Sequence, residues 1–120
     1  MRETEYGEVK LREGGMSFTW DDRKAVANLR KHGVSFTEAA AIFFDENVVI
    51  EFNSIDKWTG EERLNAIGLV YGNMMYMVYV ERVTVDNEDV VRIISARKAT
   101  KQEAKIYDYG LSRHNENGKN

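Results

Sequence analysis

The chain of 120 residues has no cysteine and no proline. The first absence excludes disulfides and thiolate metal sites, and it fits a reducing compartment. Histidine is scarce: the two present, His32 and His114, lie far apart in sequence, one of them in a polar tail. That argues against a histidine-based zinc site. No run approaches the roughly 18 consecutive apolar residues of a membrane span, and the N-terminus lacks the apolar stretch of a signal peptide. The expectation is a cytoplasmic protein with no membrane contact. Repeats and low-complexity tracts are also missing.

What remains is ordinary for one small globular domain: 42% hydrophobic and 31% charged residues, enough for a core of modest size. The net charge of −3 argues by itself against a nucleic-acid partner. The charge is unevenly spread, however. Residues 38–62 hold seven acids against the single base Lys57, whereas residues 92–105 hold five bases (Arg92, Arg97, Lys98, Lys101, Lys105) against Glu103. A basic face on an acidic protein is one reading; two solvated faces is the other.

Residues 1–15 are polar, show no clear period and read as an extension ahead of a compact domain over 16–110. Residues 18–20 suggest a short strand. Asp21 or Asp22 then caps a helix, because a short acid accepts from the free N–H groups of a first turn. Its apolar face is Val26, Leu29 and Gly33, or else Ala25, Leu29 and His32; Lys24, Asn28 and Lys31 share a polar one. Gly33 suits the left-handed position that ends a helix. Ser35 and Glu38 form a capping box that opens a second helix through about residue 44. Four strands follow, at about 48–52, 63–71, 74–85 and 90–96, joined by short turns into an antiparallel meander. The turn at Gly72-Asn73 tolerates positive φ. Thr100 and Glu103 form a second capping box, and the last helix ends at Gly110. Residues 111–120 read as a disordered polar tail. The fold class is α+β: an antiparallel sheet of about four strands, two N-terminal helices and one C-terminal helix.

Three motifs stand in order along this chain. The first is Trp20-Asp21-x-x-Lys24-x-x-x-Asn28-x-x-Lys31-His32-Gly33-Val34-x-Phe36-x-Glu38-Ala39. The second is Gly60-Glu61-Glu62-Arg63, followed by Ile67-Gly68. The third is Arg92-x-Ile94-Ser95-Ala96-Arg97-x-Ala99-x-x-x-Glu103. Each alone is weak. Together, over about residues 18–109, they resemble the BrnT toxin family of bacterial type II toxin–antitoxin systems. The resemblance implies a RelE-like fold and a metal-independent ribonuclease with no cofactor. It also implies a BrnA-type antitoxin as partner, in a heterotetramer whose contact with operator DNA is made only through the antitoxin. The polar stretch before Met16 is not part of the family pattern.

Metal-free RNA cleavage uses the substrate's own 2′-hydroxyl as nucleophile and gathers negative charge on the phosphoryl oxygens. Fixed cations there are worth more than in water, and the planar fork of arginine suits phosphate. Arg97, where a strand runs into a capped helix, is the first candidate for transition-state stabilisation; the plainer alternative is an arginine capping the sheet edge. Arg63 is the second candidate, against a simple salt bridge to Glu61 or Glu62. Glu62 is the candidate base or the orienter of Arg63, and a carboxylate in that role needs burial to raise its pKa. His32 is a candidate acid or base, since an ordinary histidine titrates near pH 6.5, although a histidine in a last helical turn also suits the helix dipole. Lys98, Lys31, Lys24 and Arg92 are candidate phosphate ligands. Trp20 and Trp58 are candidate stacking platforms for RNA bases, with Trp20 equally readable as core.

Overall fold

The computed structural model describes residues 7–118, with side chains as far as residue 113. Strands β1 (Glu8–Glu13) and β2 (Met16–Asp21) form a hairpin, followed by α1 (Asp22–His32) and the single turn of α2 (Phe36–Ala39), which tightens into a 3-10 segment over Ala40–Phe44. Strands β3 (Val49–Ile55), β4 (Glu62–Val70), β5 (Asn73–Val83) and β6 (Asp89–Lys98) come next, and α3 (Lys101–Gly118) ends the chain. The strand order is β1-β2-β6-β5-β4-β3. As expected, β3 to β6 are an antiparallel meander. β2 joins β6 in parallel, so the sheet is mixed.

The α+β class holds, but the sheet has six strands rather than about four. The two beyond the meander are β2, which contains the short strand expected over residues 18–20, and β1, inside the stretch read as an extension. β1 alternates Val9 and Leu11 toward the core with Glu8, Lys10 and Arg12 on the other side, a pattern of period two that its many charges obscure. Residues 1–6 of that stretch, and 119–120 of the tail, lie outside the described residues. Gly110 does not end the last helix, which continues to Gly118.

Local signals set most boundaries. Asp21 accepts from the N–H groups of Arg23 and Lys24 at 2.8 and 3.3 Å, a cap worth about 1 kcal/mol. Gly33 closes α1 at φ 71°, and its N–H reaches the Leu29 carbonyl at 2.8 Å. Ser35 caps α2 through the Glu38 N–H at 3.1 Å. The β4–β5 turn falls one residue earlier than expected. Val70 pairs with Asn73, and the two central residues are Tyr71 (φ 48°) and Gly72 (φ 83°). Both positive φ values mark a primed turn, whose twist matches the strands.

The core lies between one sheet face and the segments α1, α2 and the 3-10 turn. Phe18, Val34, Phe36, Ala40, Ile42 and Met77 are fully buried there, and Phe43 packs edge-on to Tyr79 at 5.0 Å. The helical faces expected for α1 need correction. Val26 and Leu29 are exposed, and Asn28 is the buried residue of this helix, with Ala25 and His32 half-buried beside it. The reason lies in the sheet. β2 pairs with β6 only at Val90, Val91 and Arg92, so the edge of β6 beyond them has no strand. The Asn28 amide takes that place. It donates to the Ala96 carbonyl at 2.7 Å and accepts from the Ala96 N–H at 3.1 Å. It also donates to the Val34 carbonyl at 3.0 Å.

On the opposite sheet face, α3 lies over β3 and β4. Tyr107 donates to the Asp45 carboxylate at 2.7 Å, and the same oxygen accepts from the Leu69 N–H at 2.8 Å. Burial alone pushes Asp45 upward, but the Leu69 N–H, the Tyr107 hydroxyl and the Asn47 N–H together hold it below the ordinary carboxylate value. Burial, reinforced by Asp45, pushes the Tyr107 phenol up to about 12. The signs give a window. A lowered carboxylate stabilises above its unfolded pKa of about 4, and that stability is lost as pH falls through the folded value. A raised phenol stabilises below about 10, and that is lost as pH rises. Hydrogen exchange of the α3 amides is therefore expected to be slowest between about pH 4 and 10 after correction for intrinsic rates. Tyr107→Phe should remove the alkaline limb; a protection profile unchanged by that substitution would contradict this latch.

Candidate functional site

Side chains alternate along a strand, so the register assigns each one to a face. On the face away from α1, one row across the sheet reads Val49, Ile67, Tyr76 and Arg97, and the next Glu51, Asn65, Val78 and Ser95. A third carries Val80, Arg92 and Thr19, with Arg63 one position beyond the Leu64–Tyr79 pair. A fourth carries Arg82, Val90, Ser17 and Arg12. Arg92 and Arg97 are separated by an odd number of positions and would ordinarily point to opposite faces. They share one because β6 carries an extra residue, Ile94. Val78 faces Ser95 while Tyr79 faces Ile93, and this bulge resets the alternation.

Five arginines therefore stand on one face, and each holds a carboxylate. Arg97 grips Glu103 with two bonds of 2.8 and 2.9 Å. Arg92 grips Glu8 with two of 2.8 Å, and Arg82 grips Glu61 with two of 2.8 Å. Arg63 reaches Asp56 at 2.9 Å and Arg12 reaches Glu88 at 2.8 Å. Among the described residues these are all the ion pairs of the molecule.

Arg97 is the most tightly positioned. Its guanidinium lies 4.2 Å from the centre of the Tyr76 ring, and Nη1 also donates to the Lys98 carbonyl at 3.2 Å. The Tyr76 hydroxyl in turn accepts from Asn53 at 3.0 Å. The hydrogen bond to Glu103 keeps Arg97 charged to still higher pH than usual. The bond from Arg97, reinforced by the Thr100 N–H, holds Glu103 below the ordinary carboxylate value. Thr100 and Glu103 complete their capping box in both directions, at 2.9 and 3.2 Å. The same carboxylate thus starts α3 and fixes Arg97. Of the five N–H donors of a guanidinium, three are used here, leaving Nε–H and one Nη2–H for an incoming anion.

Arg63 shares this face but not this spot. It lies two strands and about four residues from Arg97, roughly 16 Å away by ordinary sheet spacings. Its partner is Asp56 rather than Glu61 or Glu62. The N–H groups of Thr59 and Trp58, with Arg63, hold Asp56 below the ordinary value. Glu62, adjacent to Arg63 in β4, projects to the other side and is exposed, so it neither orients Arg63 nor has the burial a neutral-pH base needs. His32 is half-buried on the side of α1 that faces the β6 edge, one turn beyond Asn28, away from the arginine face. Lys24 and Lys31 are exposed on α1, and Lys98 is exposed beside Arg97. Arg92 is occupied by Glu8 and Thr19. Trp20 is 4% exposed, edge-on to Phe36, and belongs to the core; Trp58 is 86% exposed. Arg82 was not among the residues singled out from sequence. Its even spacing from Tyr76 along β5 is the signal that marks it. A concavity of about 590 Å3 between the β1–β2 turn and the far ends of β5 and β6 is lined by Arg82 but by none of the expected site residues.

A sequence profile described as "Ribonuclease toxin, BrnT, of type II toxin-antitoxin system" matches residues 20–103. The chain belongs to this family. The BrnT match begins at Trp20, in β2, and ends at Glu103, the partner of Arg97. It takes in Arg63, Arg82, Arg92 and Arg97 with three of their carboxylates, and leaves out β1 with Glu8 and Arg12. Family membership brings with it an antitoxin partner. No individually curated protein matches the chain. No helix among the described residues is long and apolar enough to cross a membrane.

Proposed function

We propose that this BrnT-family member is itself an active endoribonuclease of RelE-like architecture, and that the arginine face is where RNA lies. The 2′-hydroxyl attacks the adjacent phosphorus, the bond from phosphorus to the 5′-oxygen breaks, and the products are a 2′,3′-cyclic phosphate and a 5′-hydroxyl. The 2′-proton goes to a base and the leaving oxygen takes a proton from an acid. Arg97 stabilises the charge that builds on the phosphoryl oxygens, with exposed Lys98 beside it, and Arg63 holds a phosphate farther along the RNA strand. The observation that carries this reading is the mounting of Arg97, a cation fixed by Tyr76 and Glu103 with two donors still free. Preorganisation of that kind is what electrostatic catalysis requires. A BrnA-type antitoxin in a heterotetramer neutralises the enzyme, in the cytoplasm, and carries the pair to operator DNA.

Purified protein is expected to cleave single-stranded RNA undiminished in EDTA, and to spare positions where the nucleotide 5′ to the scissile phosphate lacks its 2′-hydroxyl. Cleavage at such deoxy positions would exclude 2′-hydroxyl attack. The second reading, an inactive partner of a repressor, draws on one observation: every arginine on this face already holds a carboxylate. Growth after expression without the antitoxin separates the two. Arrest relieved by Arg97→Ala favours the enzyme, and normal growth with soluble, folded protein favours the partner.

A further inference from the structure

We infer that the outer side of α1 is a docking surface for an acidic segment of the antitoxin that carries two large apolar anchors. The inference rests on the chain having an antitoxin, as its family implies, and not on catalysis. Val26 and Leu29 lie three positions apart on α1 and are 45% and 50% exposed. They border a groove of about 290 Å3 whose other apolar lining is Val9, Trp20, Ala25 and Phe36. Two aliphatic side chains left in water beside a preformed apolar groove form the pattern that receives an anchored peptide. The helix bearing them is rigidly placed, since Asn28 on its inner side is bonded to β6.

Charge names the kind of segment. Arg23 and Arg30 flank Val26 at helical spacing, three positions before it and four after, and both are exposed. Neither has a carboxylate partner among the described residues, whereas all five arginines of the strands do. In a chain of net charge −3, this helix carries four bases, Arg23, Lys24, Arg30 and Lys31, against Asp22 at its start, and none of the four has a carboxylate partner among the described residues. The complement is a segment rich in Asp and Glu. RNA is the less suitable occupant. Bases stack on open aromatic faces, but the groove offers aliphatic side chains, and its Trp20 is buried edge-on against Phe36.

The test uses full-length protein and fluorescein-labelled 15-residue peptides tiled along the antitoxin encoded with it, read by anisotropy, with the intact antitoxin as reference. The tile that binds is expected to be net acidic with two large apolar residues. Leu29→Asp and Arg30→Glu are each expected to weaken both that tile and the intact antitoxin at least tenfold, and Leu29→Ser to do so more mildly. Unchanged circular dichroism and unchanged cleavage or RNA binding should accompany the loss. Full antitoxin affinity in all three variants would overturn the proposal, as would a basic binding tile, or loss of RNA binding with antitoxin binding intact. The binding readouts need no catalysis, so a wild type that cleaves no RNA would count against the enzymatic reading alone.

Discussion

In an RNA-cleavage assay, Arg97→Ala is expected to lower kcat/KM by about two to three orders of magnitude, the usual consequence of removing one preorganised donor from a developing anion. The fold should survive. The Arg97–Glu103 pair is part-exposed, so solvent screening limits its contribution to about 1 kcal/mol or less, and Glu103 keeps its bond from the Thr100 N–H. Arg97→Lys is expected to recover little. Lysine restores a charge but has neither the fork that grips Glu103 nor the plane that lies on Tyr76. Wild-type turnover in the alanine variant, with an unchanged melting curve, would remove Arg97 from the chemistry.

The second large effect is on stability. Asn28→Ala leaves three backbone groups without their partner, the N–H and carbonyl of Ala96 and the carbonyl of Val34. Unsatisfied buried groups cost roughly 1–3 kcal/mol apiece. Allowing some access of water to the opened edge, the loss should be about 3 kcal/mol, or roughly 10–25 °C in Tm for a domain of this size. Asn28→Asp is expected to be no better. It still accepts from the Ala96 N–H, but it sets a carboxylate against two carbonyl oxygens. A loss below about 1 kcal/mol on chemical denaturation would mean that the β6 edge is held by something else. Since Arg97 follows Ala96 directly, both variants should also loosen the site, lowering activity before they unfold the chain.

Local chemistry made much of this fold legible. Capping residues Asp21, Ser35 and Thr100 and the stop at Gly33 depend on contacts within a few residues, and the meander over β3 to β6 follows from strands joined by short turns. What depends on partners distant in sequence was not legible. β1 carries four charged residues in six and declares itself a strand only against β2. Asn28 looked like one more polar residue beside Lys24 and Lys31, because its reason, a bare strand edge 68 positions away, cannot be seen locally. Arg97 and Arg63 could be picked out as cations at strand ends. That Arg97 is held by the Glu103 of its own third motif, and that Arg63 turns to Asp56, follows only from the folded geometry. Glu62 illustrates the limit from the other side: a neighbour in sequence is, in a strand, on the opposite face.

The extra residue in β6 makes this strand unequal in what it tolerates. Exchanging Ile94 for another β-branched or aliphatic residue alters packing and little else. Removing it changes parity. With the bulge deleted, the residues before and after it can no longer both keep their faces. Either Arg92 turns in toward the helices, or Arg97 does so and carries its link to Glu103 and the start of α3 with it. Length, more than residue identity, is what this short stretch has to preserve, and a gap placed here in an alignment of related chains would mark a rebuilt site rather than a neutral loss.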